Sequence, residues 1–239
     1  MHKSKVFSKV ITAEEIILKL VKSRNNSLNN CLVTYFNQHC YNIYSSDKNY
    51  QSLIDNYFNT YMDGVGMLLA LKIFGYHVEK CFNATDLNEK LLRYFIDSGY
   101  KIYIVGGKLS KNMILSSGRK INLVGYKDGF FQDKEEKEVI DDIYNSDPDV
   151  VIVGMGVPRQ ELFSARLSKK LNGKIIICVG NFLEFYFGTI KRIPKKLRNL
   201  GVEWMFRLTV EPKRLWKRYV IGIPIFFFFL MKEYFAKLK

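Results

Sequence analysis

At 239 residues and 48% hydrophobic, the chain is able to bury a full core as one domain with an appendage. Its four cysteines, Cys31, Cys40, Cys81 and Cys178, form no C-x-x-C pair and no ligand spacing. That excludes a disulfide framework or a zinc site and fits a reducing cytosol, with Cys31 and Cys178 as buried thiols in apolar runs. Net charge is +14, but residues 191–239 carry 13 Lys/Arg against 3 Glu, residues 1–30 carry 6 against 2, and residues 31–190 carry 18 of each sign. The basicity therefore belongs to the chain ends, chiefly the tail.

The opening Met1-His-Lys-Ser-Lys-Val-Phe7 lacks the long apolar core of a secretory signal, so the expectation is that the chain is not exported. An amphipathic helix is predicted near 13–22, then a loop over the Asn/Ser-rich stretch 23–30, a strand over 31–36 and a helix over 47–58. Residues 61–66 read as a turn into a helix over 67–75. Asp86 is expected to cap a helix that reaches Asp97 and is ended by Gly99. Next come a strand over 101–105, a helix over 110–117, a strand over 121–124, and a charged helix over 134–145. A strand over 149–155, a helix over 159–171 and a strand over 174–179 complete the body. Alternation of this kind predicts an α/β fold, a Rossmann-like parallel sheet with helices on both faces. From Lys195 the pattern is helical with no strand candidate. The expected division is residues 1–194 as the catalytic domain and 195–239 as a basic helical appendage.

In the tail, Lys213, Arg214, Lys217 and Arg218 run directly into the apolar block Tyr219 to Met231, which Lys232, Lys237 and Lys239 close. The block is shorter than the ~20 apolar residues of a span, and Pro224 interrupts it. A basic segment abutting such a run predicts attachment to an anionic membrane surface. The alternative is a terminal helix packed on the body.

Several strand ends carry groups able to do chemistry. Val150 to Val153 leads into Gly154-Met-Gly156, then Pro158 at a first helical position, then Arg159, Gln160 and Glu161. Polar groups there enter the crevice at the carboxyl edge of a parallel sheet. Gly154-x-Gly156 lacks the third glycine and the acidic ribose ligand of a nicotinamide site, so no such cofactor is expected. Asp147-Pro-Asp149 resembles a metal-binding D-x-D but precedes its strand, and reads as a turn. Asp63 stands before Gly64 and Gly66, which permit a sharp turn and close substrate approach; on local sequence alone the favoured reading is the surface carboxylate of an Asp-Gly turn. Thr34 and Asn37 end the first strand and read either as ligands or as a helix-capping pair. His39 has no evident partner.

The set of motifs resembles the WecG/TagA/CpsF glycosyltransferases. The resemblance rests on Thr34 with Asn37, on Asp63-Gly64 with Gly66, and on Gly154, Gly156 and Pro158-Arg-Gln-Glu161. It continues through Arg192-Ile-Pro194 to Glu203-Trp204, Arg207-Leu208, Glu211-Pro212 and Arg214. It departs at Glu79-Lys80-Cys-Phe-Asn-Ala84, where Lys80 stands for the family's arginine, and at Val179-Gly-Asn-Phe-Leu-Glu184. What the resemblance implies is an inverting transferase moving a sugar of the N-acetylmannosamine, uronic acid or glucose type. The donor would be a UDP-sugar and the acceptor an undecaprenyl-diphosphate-linked sugar, at the cytoplasmic face of the membrane, in cell-surface polysaccharide or teichoic acid synthesis. Asp63 is then the expected base, and Arg207, Arg214 and Arg218 the expected neutralisers of the leaving diphosphate, without a metal or other cofactor. Thr34, Asn37, Gly64, Lys80, Gly154, Gly156, Gln160, Glu161, Arg192 and Glu203 are the expected substrate-binding residues. Lys213 and Lys217 are expected to face lipid. Whether the chain forms a homo-oligomer is left open. Two rivals remain: a nucleic-acid-binding module that uses the basic tail, against which the apolar block argues, and a non-catalytic scaffold of the same pathway.

Overall fold

Val150-Val-Ile-Val153 and Ile175-Ile-Ile-Cys178 are apolar at every position, the pattern of strands covered on both faces. They sit side by side at the middle of a seven-stranded sheet in the computed structural model, which describes residues 6–12, 14–22, 29–78, 83–116, 118, 120–190 and 203–236. The strands are β1 (Val10–Ile11), β2 (Cys31–Phe36), β3 (Phe58–Met62), β4 (Ile102–Gly106), β5 (Leu123–Lys127), β6 (Val150–Gly154) and β7 (Ile175–Cys178). Their order is β1-β3-β2-β7-β6-β4-β5, and every pairing is parallel. Alternate residues point to opposite faces. Val33, Ile102, Ile104, Val150, Ile152, Ile175 and Ile177 enter one apolar cluster, while Leu32, Tyr103, Val105, Val151, Val153 and Ile176 enter another.

The helices of the body are α1 (Glu14–Lys22), α2 (Gln38–Ser46), α3 (Lys48–Tyr57), α4 (Val65–Ile73), α5 (Ala84–Asp97), α6 (Lys111–Leu115), α7 (Glu136–Asn145), α8 (Arg159–Ser168) and α9 (Phe182–Tyr186). The predicted α/β class holds, with boundaries shifted by up to three residues, as at the ends of β5 and α8. Three differences matter. Residues 37–46, given no element in the sequence, form α2, because the Asn37 side chain accepts from the N–H groups of His39 and Cys40 and caps it. Residues 58–62, read as the end of a helix, an unassigned step and the start of a turn, form β3, since Tyr61 and Met62 are fully buried against β2. Asn83, and not Asp86, caps α5 by accepting from the Thr85 N–H.

The tail is helical as predicted: α10 (Glu203–Val210), α11 (Pro212–Trp216), a π-helical turn over Lys217–Ile221, and α12 (Gly222–Ala236). The boundary expected near Pro194 lies outside the described residues. Pro224 does not end the helix. A proline ring cannot donate to, and crowds, the carbonyl four residues back, and a π-helical turn over Lys217–Ile221 lies just before it. The helical run Pro212–Ala236 is thus 25 residues, long and apolar enough to cross a membrane by length and composition. Here it packs on α2. Phe226 meets the Tyr41 ring edge-on at 5.4 Å, the Asn42 amide donates to the Gly222 carbonyl at 2.7 Å, and the Tyr41 hydroxyl donates to Glu233 at 2.8 Å.

Candidate active site

The registry Phe36–Met62, Val153–Cys178 and Gly106–Gly154 brings the carboxyl ends of five strands to one edge. Close approach there requires glycine: a Cβ on Gly154 would lie 2.7 Å from the Gly180 carbonyl oxygen. After β3 the chain turns through Asp63 into Gly64, whose φ of 85° is open to glycine, and so into α4. The turn fixes the Asp63 carboxylate, which accepts from the Ala84 N–H at 3.0 Å and from the Asn37 amide at 3.3 Å.

Two cavities open along this edge. The larger, about 630 Å³, is walled by Asn37, His39 and Ile43 from α2 and its cap, Asp63, the β7 end at Asn181, and the tail helices. The second, about 530 Å³, lies over β4 and β6 and is lined by Gly107, Lys108, Gly129, Phe130, Gly154 and Glu184 among others. The chain leaves β4 toward the sheet edge and leaves β6 toward its centre, so this cavity occupies a topological switch point. Gly156, Asn181 and Arg214 line both cavities.

Arg207, Arg214 and Arg218 all line the larger cavity. The Nε atoms of Arg207 and Arg218 are buried with no hydrogen-bond partner among the described residues. Arg214 is already engaged: its guanidinium donates to Glu211 at 2.9 and 2.5 Å and to Asn181 at 3.4 Å. Lys217, expected to face lipid, also lines the cavity, because the π-helical turn sets it beside Arg218 and Ile221 on that side. Lys213 is exposed and off the wall.

Thr34, Gln160 and Glu161, expected to touch substrate, line neither cavity; all three are fully buried. Facing one another across β2 and α8, they satisfy each other instead. The Thr34 hydroxyl and the Gln160 amide donate to Glu161 Oε1 at 2.8 and 2.7 Å, and Gln160 Oε1 accepts the Gly180 N–H at 3.0 Å. They brace the loop that carries Asn181. Burial drives the Glu161 carboxyl up to about 7. Gly64 caps α4 and is off both walls. Lys80, Arg192 and the Glu203 side chain lie outside the described residues.

Burial, and next the Arg218 guanidinium, push His39 down to about 4, which leaves a neutral imidazole on the wall. Burial, and next the Glu161 charge, raise the Cys40 thiol to about 12, so it is no nucleophile. Asp147 and Asp149 stand at the opposite, amino edge of β6. There Asp147 pairs with Lys101 and Lys174, as a turn should. Among the described residues no group of three or more His, Cys, Asp and Glu side chains is placed to hold a metal ion.

Sequence reasoning missed Asn181, Lys108 and Phe130, and named Arg159 only as a polar group of the crevice, without its role in holding the Phe130 loop. Asn181 was within reach, since it follows Gly180 at a predicted strand end. Phe130 is 63% exposed, with the Lys108 ammonium 5.6 Å from its ring centre. Its loop is held by the Asp128 carboxylate, which accepts the Phe130 N–H, and by the Arg159 guanidinium, which donates to the Gly129 and Phe131 carbonyls. The site thus pairs a glycine-walled cavity having an aromatic rim with a cavity holding one oriented carboxylate opposite three guanidinium groups. A sequence model of the Glycosyl transferase WecG/TagA/CpsF family matches residues 5–239, and the chain belongs to that family of glycosyltransferases.

Proposed function

We propose that this glycosyltransferase moves a sugar of the N-acetylmannosamine, N-acetylmannosaminuronic acid or glucose type from a UDP donor to an undecaprenyl-diphosphate-linked sugar, with inversion and without a metal. The observation that carries the reading is the pair of cavities that share Gly156, Asn181 and Arg214. A donor in the second cavity presents its anomeric carbon at that junction, and an acceptor in the larger one approaches from the Asp63 side. The acceptor oxygen bonds to the anomeric carbon as the bond to the diphosphate oxygen breaks. The electron pair leaves with UDP, and the hydroxyl proton passes to Asp63. Asp63 suits the role because two donors orient it without consuming all its lone pairs.

Charge building on the leaving diphosphate is met by the tail arginines, Arg214 first, since it alone of the three reaches both cavities. Phe130 offers its exposed face to the nucleobase. The outer side of α12 presents Phe227, Phe228, Met231 and Phe235 to solvent. With flanking lysines and arginines, that face suits an anionic cytoplasmic leaflet. The protein is read as peripheral because α12 is tied to α2 by Phe226, Asn42 and Glu233, contacts a spanning helix would forfeit. The face also argues against a nucleic-acid module, which has no use for it.

A screen of the UDP-sugars of these three types against a lipid-linked N-acetylglucosamine diphosphate tests the proposal. One donor should give a product of inverted anomeric configuration that forms equally well in EDTA. No transfer from any donor, or salt-sensitive RNA binding without turnover, would refute it.

A further inference from the structure

Two neutral side chains on the wall of the larger cavity play no part in the proposed transfer. Tyr35 on β2 and His39 in the first turn of α2 both line that cavity, and neither lines the second. The Tyr35 hydroxyl and the His39 imidazole have no hydrogen-bond partner among the described residues; only the Tyr35 carbonyl and the His39 N–H are engaged. Tyr41, Tyr61 and Tyr103, also buried, donate to Glu233, Asn88 and Asp142. The Tyr50 hydroxyl lacks a partner too, but it lines neither cavity.

Both stand beside the reacting groups. Tyr35 is paired with Tyr61 across β2 and β3, so the two share a face of the sheet. Asp63 follows Tyr61 by two residues, its N–H still bonded to the Phe36 carbonyl, and falls on that face as well. A Cβ on Gly180 would lie 2.7 Å from the Tyr35 hydroxyl oxygen, so that oxygen sits against the backbone next to Asn181, where the two cavities join. His39 is tied to the same place through Asn37, whose side chain accepts the His39 N–H at 3.1 Å and donates to Asp63 at 3.3 Å. Burial keeps both groups uncharged. It raises the Tyr35 phenol well above its usual range and, with the Arg218 guanidinium next, lowers the His39 imidazole to about 4.

We propose that Tyr35 and His39 read the acceptor sugar, binding its hydroxyl or acetamido groups on the floor of the larger cavity and so turning the reacting hydroxyl toward Asp63. This rests on the acceptor reading proposed above and deepens it. A neutral phenol offers a donor, and a neutral imidazole one donor and one acceptor, which complements the hydroxyl and acetamido groups of a sugar. A diphosphate draws instead on guanidinium groups, and these two side chains carry no charge for it. Because both lie off the second cavity, the assignment concerns the acceptor and leaves the donor untouched.

Calorimetric titration of the full chain with farnesyl diphosphate, with the same lipid diphosphate carrying N-acetylglucosamine, and with UDP tests this without turnover. In the wild type the sugar should tighten binding by about tenfold or more, the sum of two hydrogen bonds. Tyr35→Phe, which removes one oxygen and keeps the ring beside Gly180, and His39→Leu should each cut that gain by about three- to tenfold. Neither should change the affinity for farnesyl diphosphate or for UDP. Three results would each overturn the assignment. They are a sugar that adds no affinity in the wild type, a gain kept in full by either variant, and a variant that weakens farnesyl diphosphate or UDP as much as it weakens the sugar-bearing probe. The wild-type comparison is decisive even if a variant misfolds. Transfer from no donor would sink the proposed reaction and leave this comparison standing, because none of the three probes needs turnover.

Discussion

Replacing Glu161 by glutamine probes the buried cluster behind the cavity wall. Burial raises the carboxyl from 4.5 to about 7, against the lowering effect of its Gln160 and Thr34 hydrogen bonds. With its folded pKa above its unfolded one, the group binds more protons in the native state between the two. Its stabilising contribution is therefore complete below about 4.5 and is lost as pH rises through about 7. A shift of this size corresponds to about 3 kcal/mol, most of it lost between about pH 5 and pH 8. Glutamine keeps an oxygen for Thr34 and Gln160 and places an uncharged amide where Oε2 has no partner among the described residues. Glu161→Gln should therefore match the wild type near pH 5 and exceed it near pH 8 by about 2 to 3 kcal/mol, roughly 5–10 °C in Tm for a chain of this size. His39 acts with the opposite sign, its contribution present above about 6.5 and lost as pH falls through about 4, but it is common to both proteins and cancels. Thermal and urea unfolding of both proteins across this pH range gives the comparison. Parallel stability curves would mean that Glu161 does not titrate there and that the argument from its burial is wrong.

Four further outcomes are expected. Asp63→Asn should lower transfer by roughly two or more orders of magnitude with UDP affinity kept; near-normal turnover removes Asp63 as the base. Arg214→Lys should bind anionic vesicles normally yet lose most turnover, since lysine keeps the charge but not the fork; unchanged turnover would reduce Arg214 to a surface cation. Phe130→Ala should weaken UDP binding by about 1–3 kcal/mol, the value of a base-stacking contact, and spare inorganic diphosphate; equal effects on both ligands would exclude stacking. Phe228→Glu, at a 64% exposed position, should cut vesicle pelleting while changing unfolding stability by no more than a surface change does, about 0.5 kcal/mol; undiminished pelleting would place the attachment surface elsewhere.

Local sequence was enough for the class of fold. The all-apolar runs Val150-Val153 and Ile175-Cys178 are strands buried on both faces whatever their neighbours. Motif spacing was enough for the family, whereas the shared wall of Arg207, Arg214 and Arg218 needed the tertiary structure, because they stand on three separate helical elements with a break at Glu211. Tertiary structure decided the rest. Residues 58–62 carry no strand signal strong enough to outweigh the turn that follows, and become β3 by pairing with β2. Thr34, Gln160 and Glu161 look like ligands in a motif, yet turn inward, since Glu161 takes one partner 127 residues away along the chain and one at its side. Phe130 and Lys108 come together only because β4 and β5 are neighbours. Which flank of the last helix faces the body, the cavity or the solvent was equally beyond the sequence. Its apolar residues lie all round the helix, so periodicity assigns no face, and only packing on α2 does.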